Sequence, residues 1–119
     1  MKENVVLKKS YVFALQIIKV YQHLSSEKRE FVLSKQLLRS GTAVGALIRE
    51  AEHAQSTRDF LHKMSISLKE ANETLYWIKL LKDSSIIDIS IYNSVFPQAE
   101  EMVKLLVSIV KTTKIKLKM

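Results

Sequence analysis

The chain has 119 residues, 47% of them apolar and 26% charged, with a net charge of +7 and a pI near 9.7. That is one domain's length, enough for a core without disulfide or metal staples, and not the composition of a disordered chain. Two glycines and one proline exclude a turn-rich β architecture, and the absence of cysteine excludes disulfides and thiolate metal sites.

The first predicted helix covers about residues 5–24. Val6, Phe13, Ile17, Val20 or Tyr21, and Leu24 follow helical spacing. Ser25 and Ser26 end it and offer an N-cap for the next helix.

The second is expected over about 30–54. Leu37, Gly41, Val44, Ile48 and Ala51 trace one stripe. The glycines, Gly41 and Gly45, stand four residues apart on one helix face. A glycine inside a helix costs about 0.5–1 kcal/mol against alanine. Close approach of a facing helix is the structural return.

The third is expected over about 58–82, capped by Ser56 or Thr57 with Asp59 in its first turn. Leu61, Met64, Leu68, Ala71, Leu75 and Ile78 alternate by three and four, and Phe60, Trp77, Leu80 and Leu81 lie beside that seam. Asp83-Ser84-Ser85 reads as a turn.

The fourth is expected over about 90–114. Pro97 implies a start near Phe96 or a kinked first turn. Seven of the nine residues from Met102 to Val110 are apolar, more than a one-sided helix needs. Four long helices on short turns give a single all-α domain over 1–119, an antiparallel up-down four-helix bundle. Surplus apolar residues on the third and fourth helices predict a subunit interface there. The charged N-terminal stretch is not a signal peptide, and no run is long enough to span a bilayer. A cytoplasmic protein without membrane contact is expected.

Catalytic constellations are missing. Glu50 and His53 form Glu-x-x-His, half of a di-iron site, but no second histidine lies at the required spacing. His23, His53 and His62 have no nucleophile or carboxylate pattern around them, and no glycine loop cradles phosphate. The expectation is a non-enzyme without a cofactor or metal. Arg39, Glu50, Glu70 and Glu73 are candidates for a buried ion-pair set that fixes helix register.

The basic excess points to a polyanionic partner, RNA or DNA. Lys8, Lys9, Lys19, Arg49, Arg58, Lys111, Lys114 and Lys116 are the candidate phosphate contacts. Tyr11, Tyr21, Tyr76, Trp77 and Tyr92 are candidate stacking residues, although aromatics at helical spacing more often serve a core. The competing reading is a protein–protein adaptor that uses apolar helical faces and binds no nucleic acid.

The runs SKQLLRSGTAVGALIREA (34–51) and DFLHKMSISLKEANETLYWI (59–78) resemble, in order, two signatures of the 23S rRNA-intervening-sequence proteins. The resemblance spans nearly the whole chain. It implies a small helical bundle, encoded in some members within insertions in ribosomal RNA genes. Relatives in that family serve as the accessory protein of diversity-generating retroelements, a homopentameric barrel with a basic surface that associates with nucleic acid and a reverse transcriptase. By resemblance a homopentamer is expected here, with RNA or DNA as a partner and, only if the chain is retroelement-associated, a reverse transcriptase. The sequence departs from the family pattern at Ala43, where serine is usual, and at Leu47, where asparagine is usual.

Overall fold

The computed structural model describes residues 2–119, with side chains from residue 5 onward. Helices α1 (Lys2–Ser26), α2 (Leu33–Ala51), α3 (Thr57–Asp83) and α4 (Ile89–Lys116) follow one another in an antiparallel up-down bundle of 48 × 22 × 21 Å. Each helix packs on its chain neighbour, and α4 returns to close the ring against α1. No strand occurs among the described residues.

Each turn has a distinct chemical cause. Ser25 and Ser26 donate their hydroxyls back to the carbonyls of Tyr21 and Gln22, so they close α1 and do not cap α2. Arg29 then takes a left-handed backbone, and α2 starts at Leu33, three residues later than expected. The capping role falls to Glu30. Its carboxylate accepts the N–H groups of Val32, Leu33 and Ser34 at 3.2, 3.1 and 2.7 Å. Burial opposes the charge on Glu30, but these backbone donors outweigh it and hold the carboxyl below its ordinary value.

At the next turn Ser56, not Thr57, is the cap. Its Oγ accepts the Asp59 N–H at 3.0 Å, while Asp59 accepts the Gln55 N–H at 3.1 Å, a reciprocal arrangement. Ser85, left-handed at φ 63°, ends the run after α3, and the Ile86 N–H reaches back to Leu81. Asp88 caps α4 by accepting the Ile91 N–H. The fourth helix therefore begins before Pro97 and continues through it. Pro97 lies on the exposed side, where the carbonyl it leaves without a donor can meet water. The Gln98 side chain adds a hydrogen bond to the Ser94 carbonyl in the same turn.

The α1 and α2 stripes are buried as their spacing predicts, with Val20 rather than Tyr21 in the core. The two seams of α2 differ. Toward α1 the small residues admit the neighbour: a Cβ on Gly41 would meet Ile17 Cγ2 at 2.8 Å, and one on Gly45 would meet Ser10 Oγ at 3.1 Å. Toward α3 the seam is hydroxylic. Ser67 donates to the Val44 carbonyl at 2.9 Å, and the Thr74 and Ser40 hydroxyls lie 2.9 Å apart. Leu68 and Leu75, expected on the α3 seam, are half-buried at its edge.

The surplus apolar residues of α3 and α4 are largely consumed inside the bundle. Leu81, Leu106, Ile109 and Val110 are buried, and Phe60, Trp77, Val103 and Leu105 pack against the core. The larger exposed apolar group is on α1, at Val5, Tyr11, Val12 and Leu15. Tyr76 on α3 and Ile89, Val107 and Ile115 on α4 are exposed as well, so apolar surface remains on both of those helices.

Candidate nucleic-acid interface

The antiparallel topology sorts the basic residues. The C-terminal end of α2, the N-terminal end of α3 and the C-terminal end of α4 meet at one end of the bundle, beside the N-terminal part of α1. Lys8, Lys9, Arg49, Arg58, Lys111, Lys114 and Lys116 fall in that half, and all are exposed. Lys19 does not join them. It lies ten residues beyond Lys9 along α1, about 15 Å at helical rise, against Ser90 and Ser94 near the start of α4.

Within the basic half the cations differ in availability. Lys9 is bound to Glu101 at 2.9 Å. Among the described residues Arg49, Arg58, Lys111, Lys114 and Lys116 have no ion-pair partner. Glu50, which would blunt the field beside Arg49, is held by Lys63 at 3.0 Å. Lys63 is thus a member of this surface that the sequence reading did not single out, and its signal was its place one turn into α3. Close to the α2–α3 turn, Lys116 shares a shallow cleft with Ser56, Thr57, Phe60 and Thr112.

The second surface feature is a groove of about 870 Å³ between α1 and α2. Its floor carries Ser10, Ala14, Gly45 and Ala46, with Tyr11 at its side and Lys8 and Arg49 on its rim. Of the candidate stacking residues only Tyr11 and Tyr76 are exposed, at 64% and 59%. Trp77 donates its indole N–H to Glu73 at 3.0 Å, Tyr92 stacks on Phe96, and Tyr21 is half-buried.

The ion-pair candidates separate. Arg39 bridges Glu70, at 3.1 Å, and Glu73 across the α2–α3 seam, so an interhelical pair exists. It is not buried: the Arg39 side chain is 51% exposed. Its long stem lets the guanidinium reach the carboxylates from the surface. The Trp77 hydrogen bond, against burial and with help from Arg39, holds the Glu73 carboxyl below its ordinary value; the bond to Glu73 in turn keeps Arg39 firmly charged. Glu50 belongs to a different pair, with Lys63. His53 is exposed, and no group of three or more His, Cys, Asp or Glu residues among the described residues is placed to hold a metal ion. No helix among the described residues is long and apolar enough to cross a membrane.

Fold and surface define a class: an all-α four-helix bundle with its basic residues concentrated in one half. The chain belongs to the 23S rRNA-intervening sequence protein family, whose model matches residues 2–108. It is similar to the crystal structure of a protein of unknown function from the S23 ribosomal protein family of Bacteroides thetaiotaomicron, at 53% identity and a TM-score of 0.91. That match covers 93% of this chain and 99% of the other. No curated protein matches the chain.

Proposed function

We propose that this protein is a non-enzymatic, oligomeric bundle that binds RNA or DNA through its basic half. The observation that carries the reading is the convergence of Arg49, Arg58, Lys111, Lys114 and Lys116, from three helices, on one end of the fold without an ion-pair partner among the described residues. Helical periodicity by itself does not require such convergence; only the topology makes neighbours of residues so far apart in sequence. Phosphates met by such side chains are bound mainly through counterion release, so affinity falls steeply with salt.

Self-association is part of the same reading. Val5, Val12 and Leu15 leave an apolar strip on α1 that borders the Tyr11 groove at Val12 and extends toward the side where Lys9 reaches α4. Apolar surface of that kind marks an interaction site, and the family resemblance sets five copies as the expected number. The test is binding of labelled RNA and DNA oligomers by anisotropy across a salt series, with native mass followed by light scattering. Steep salt dependence on a multimer supports the reading. No binding at low salt, or binding indifferent to salt, overturns the nucleic-acid part, and a monomeric mass overturns the oligomer.

A further inference from the structure

We infer that the groove between α1 and α2 receives an unstacked base of single-stranded nucleic acid on Tyr11, with the flanking phosphates on Lys8 and Arg49. This deepens the nucleic-acid reading above and rests on it.

Three observations converge. First, Tyr11 is a large ring left 64% exposed, with no hydrogen-bond or ring partner among the described residues. Second, the floor beside it is built from Ser10, Ala14, Gly45 and Ala46, so a flat ring can approach the helix backbones. Gly45 is where a side chain would narrow that floor: its Cβ would already stand 3.1 Å from Ser10 Oγ. The groove, at about 870 Å³, is within the range of ligand sites and larger than a base needs. Third, the rim is cationic on both sides. Lys8 is on α1 and Arg49 on α2, while Glu50, the one carboxylate among the described residues that line the groove, is engaged by Lys63.

An aromatic face between two cations matches a nucleotide strand: stacking takes the base, and the cations take the phosphates before and after it. It does not match a duplex, whose bases are stacked inside and out of reach. A second copy of this chain is the competing occupant, and the native mass of the Tyr11 variants distinguishes it.

The experiment compares a labelled single-stranded RNA of about 12 nucleotides with a duplex of equal length, both at low salt. The proteins are the unaltered chain, Tyr11→Leu and Tyr11→Phe, with native mass measured on each. Tyr11→Leu is expected to weaken single-strand binding about tenfold, to leave duplex binding and mass unchanged, and to be rescued by Tyr11→Phe, which keeps the ring. Equal single-strand affinity for Tyr11→Leu overturns the inference. If the Arg58→Gln/Lys111→Gln/Lys114→Gln variant still loses affinity in that case, the broader nucleic-acid reading survives without it. A changed native mass in Tyr11→Leu assigns the groove to a second copy and also overturns the inference. If the unaltered protein binds neither RNA nor the DNA oligomers above, both readings fall together.

Discussion

The two ends of this bundle use charge in different ways. At the end formed by the α1–α2 and α3–α4 turns, acids are committed to structure: Glu30 caps α2 and Asp88 caps α4. The cations nearby are interleaved with acids; Lys82, for example, lies 3.7 Å from Asp83 and sits over the Tyr92 ring. At the end formed by the α2–α3 turn and the tail of α4, the cap is a neutral serine with Asp59 folded back on Gln55. Its free cations project from α2, α3 and α4. Acids thus lie among the cations at one end, whereas at the other cations from three helices gather with fewer acids beside them. Net charge describes the whole chain, whereas a binding surface requires charges that topology has brought together.

Breaking this contrast gives the largest expected effect. Neutralising Arg49, Arg58, Lys111 and Lys114 together to Gln is expected to cut affinity for RNA by about a hundredfold or more at low salt. It also lowers the salt slope by about 3, since each lost phosphate contact removes 0.7–0.9. Lys19→Gln, at the other end, changes neither. A Lys19 effect as large as that of Arg58→Gln would erase the distinction between the ends.

Between the ends, the glycines sharpen the account of how α1 and α2 come together. Gly41→Ala puts a methyl group 2.8 Å from the fully buried Ile17. Overpacking of this kind costs about 1–3 kcal/mol, against a helix-propensity gain of about 1. A net loss of up to about 2 kcal/mol in chemical denaturation is expected. Gly45→Ala faces Ser10, with Oγ at 3.1 Å and the backbone carbonyl oxygen at an ordinary 3.5 Å; its propensity gain offsets the tighter contact, and stability stays within about 0.5 kcal/mol. Equal losses at both positions would contradict the geometry.

At the acid-committed end, Glu30→Gln is expected to lower stability by about 1 kcal/mol at neutral pH, as for loss of a helix cap. The sign of its pH dependence follows from the depressed folded-state value. The stabilisation is present above the ordinary carboxyl value of 4.5 and is lost as pH falls through the lower folded value. Urea titrations at neutral and acid pH should therefore converge for the two proteins as pH drops. The smallest effect expected is for Ser56→Ala, about 0.5–1 kcal/mol at the other end, with no change in the acid slope because the cap is neutral.

Much of the fold was legible from spacing. The Leu37–Ala51 stripe and the α1 stripe are buried because a period of 3.6 leaves an apolar face one destination, a neighbouring helix. What spacing hid was polar or non-local. Ser67, Thr74 and Ser40 are buried because each hydroxyl finds a partner on the same or the facing helix, which a hydropathy pattern cannot register. Glu30 was invisible as a cap because it precedes its helix by three residues and acts with a carboxylate, while Ser25 and Ser26 look like caps and spend their hydroxyls on the helix they end. Much of the apolar surplus on α3 and α4 is spent inside the bundle, because counting residues does not reveal how many neighbours a helix has. The candidate cations were readable one by one, but that Lys19 stands apart, that Lys9 is bound to Glu101 and that Lys63 masks Glu50 needed the packed helices.

The most direct test of the basic half as the nucleic-acid surface is lysine footprinting: brief acetylation with and without saturating RNA, read by mass spectrometry. Protection of Lys111, Lys114 and Lys116, with Lys19, Lys28 and Lys79 unprotected, is the predicted result. Uniform protection over both ends, or protection confined to Lys19 and Lys28, would contradict it.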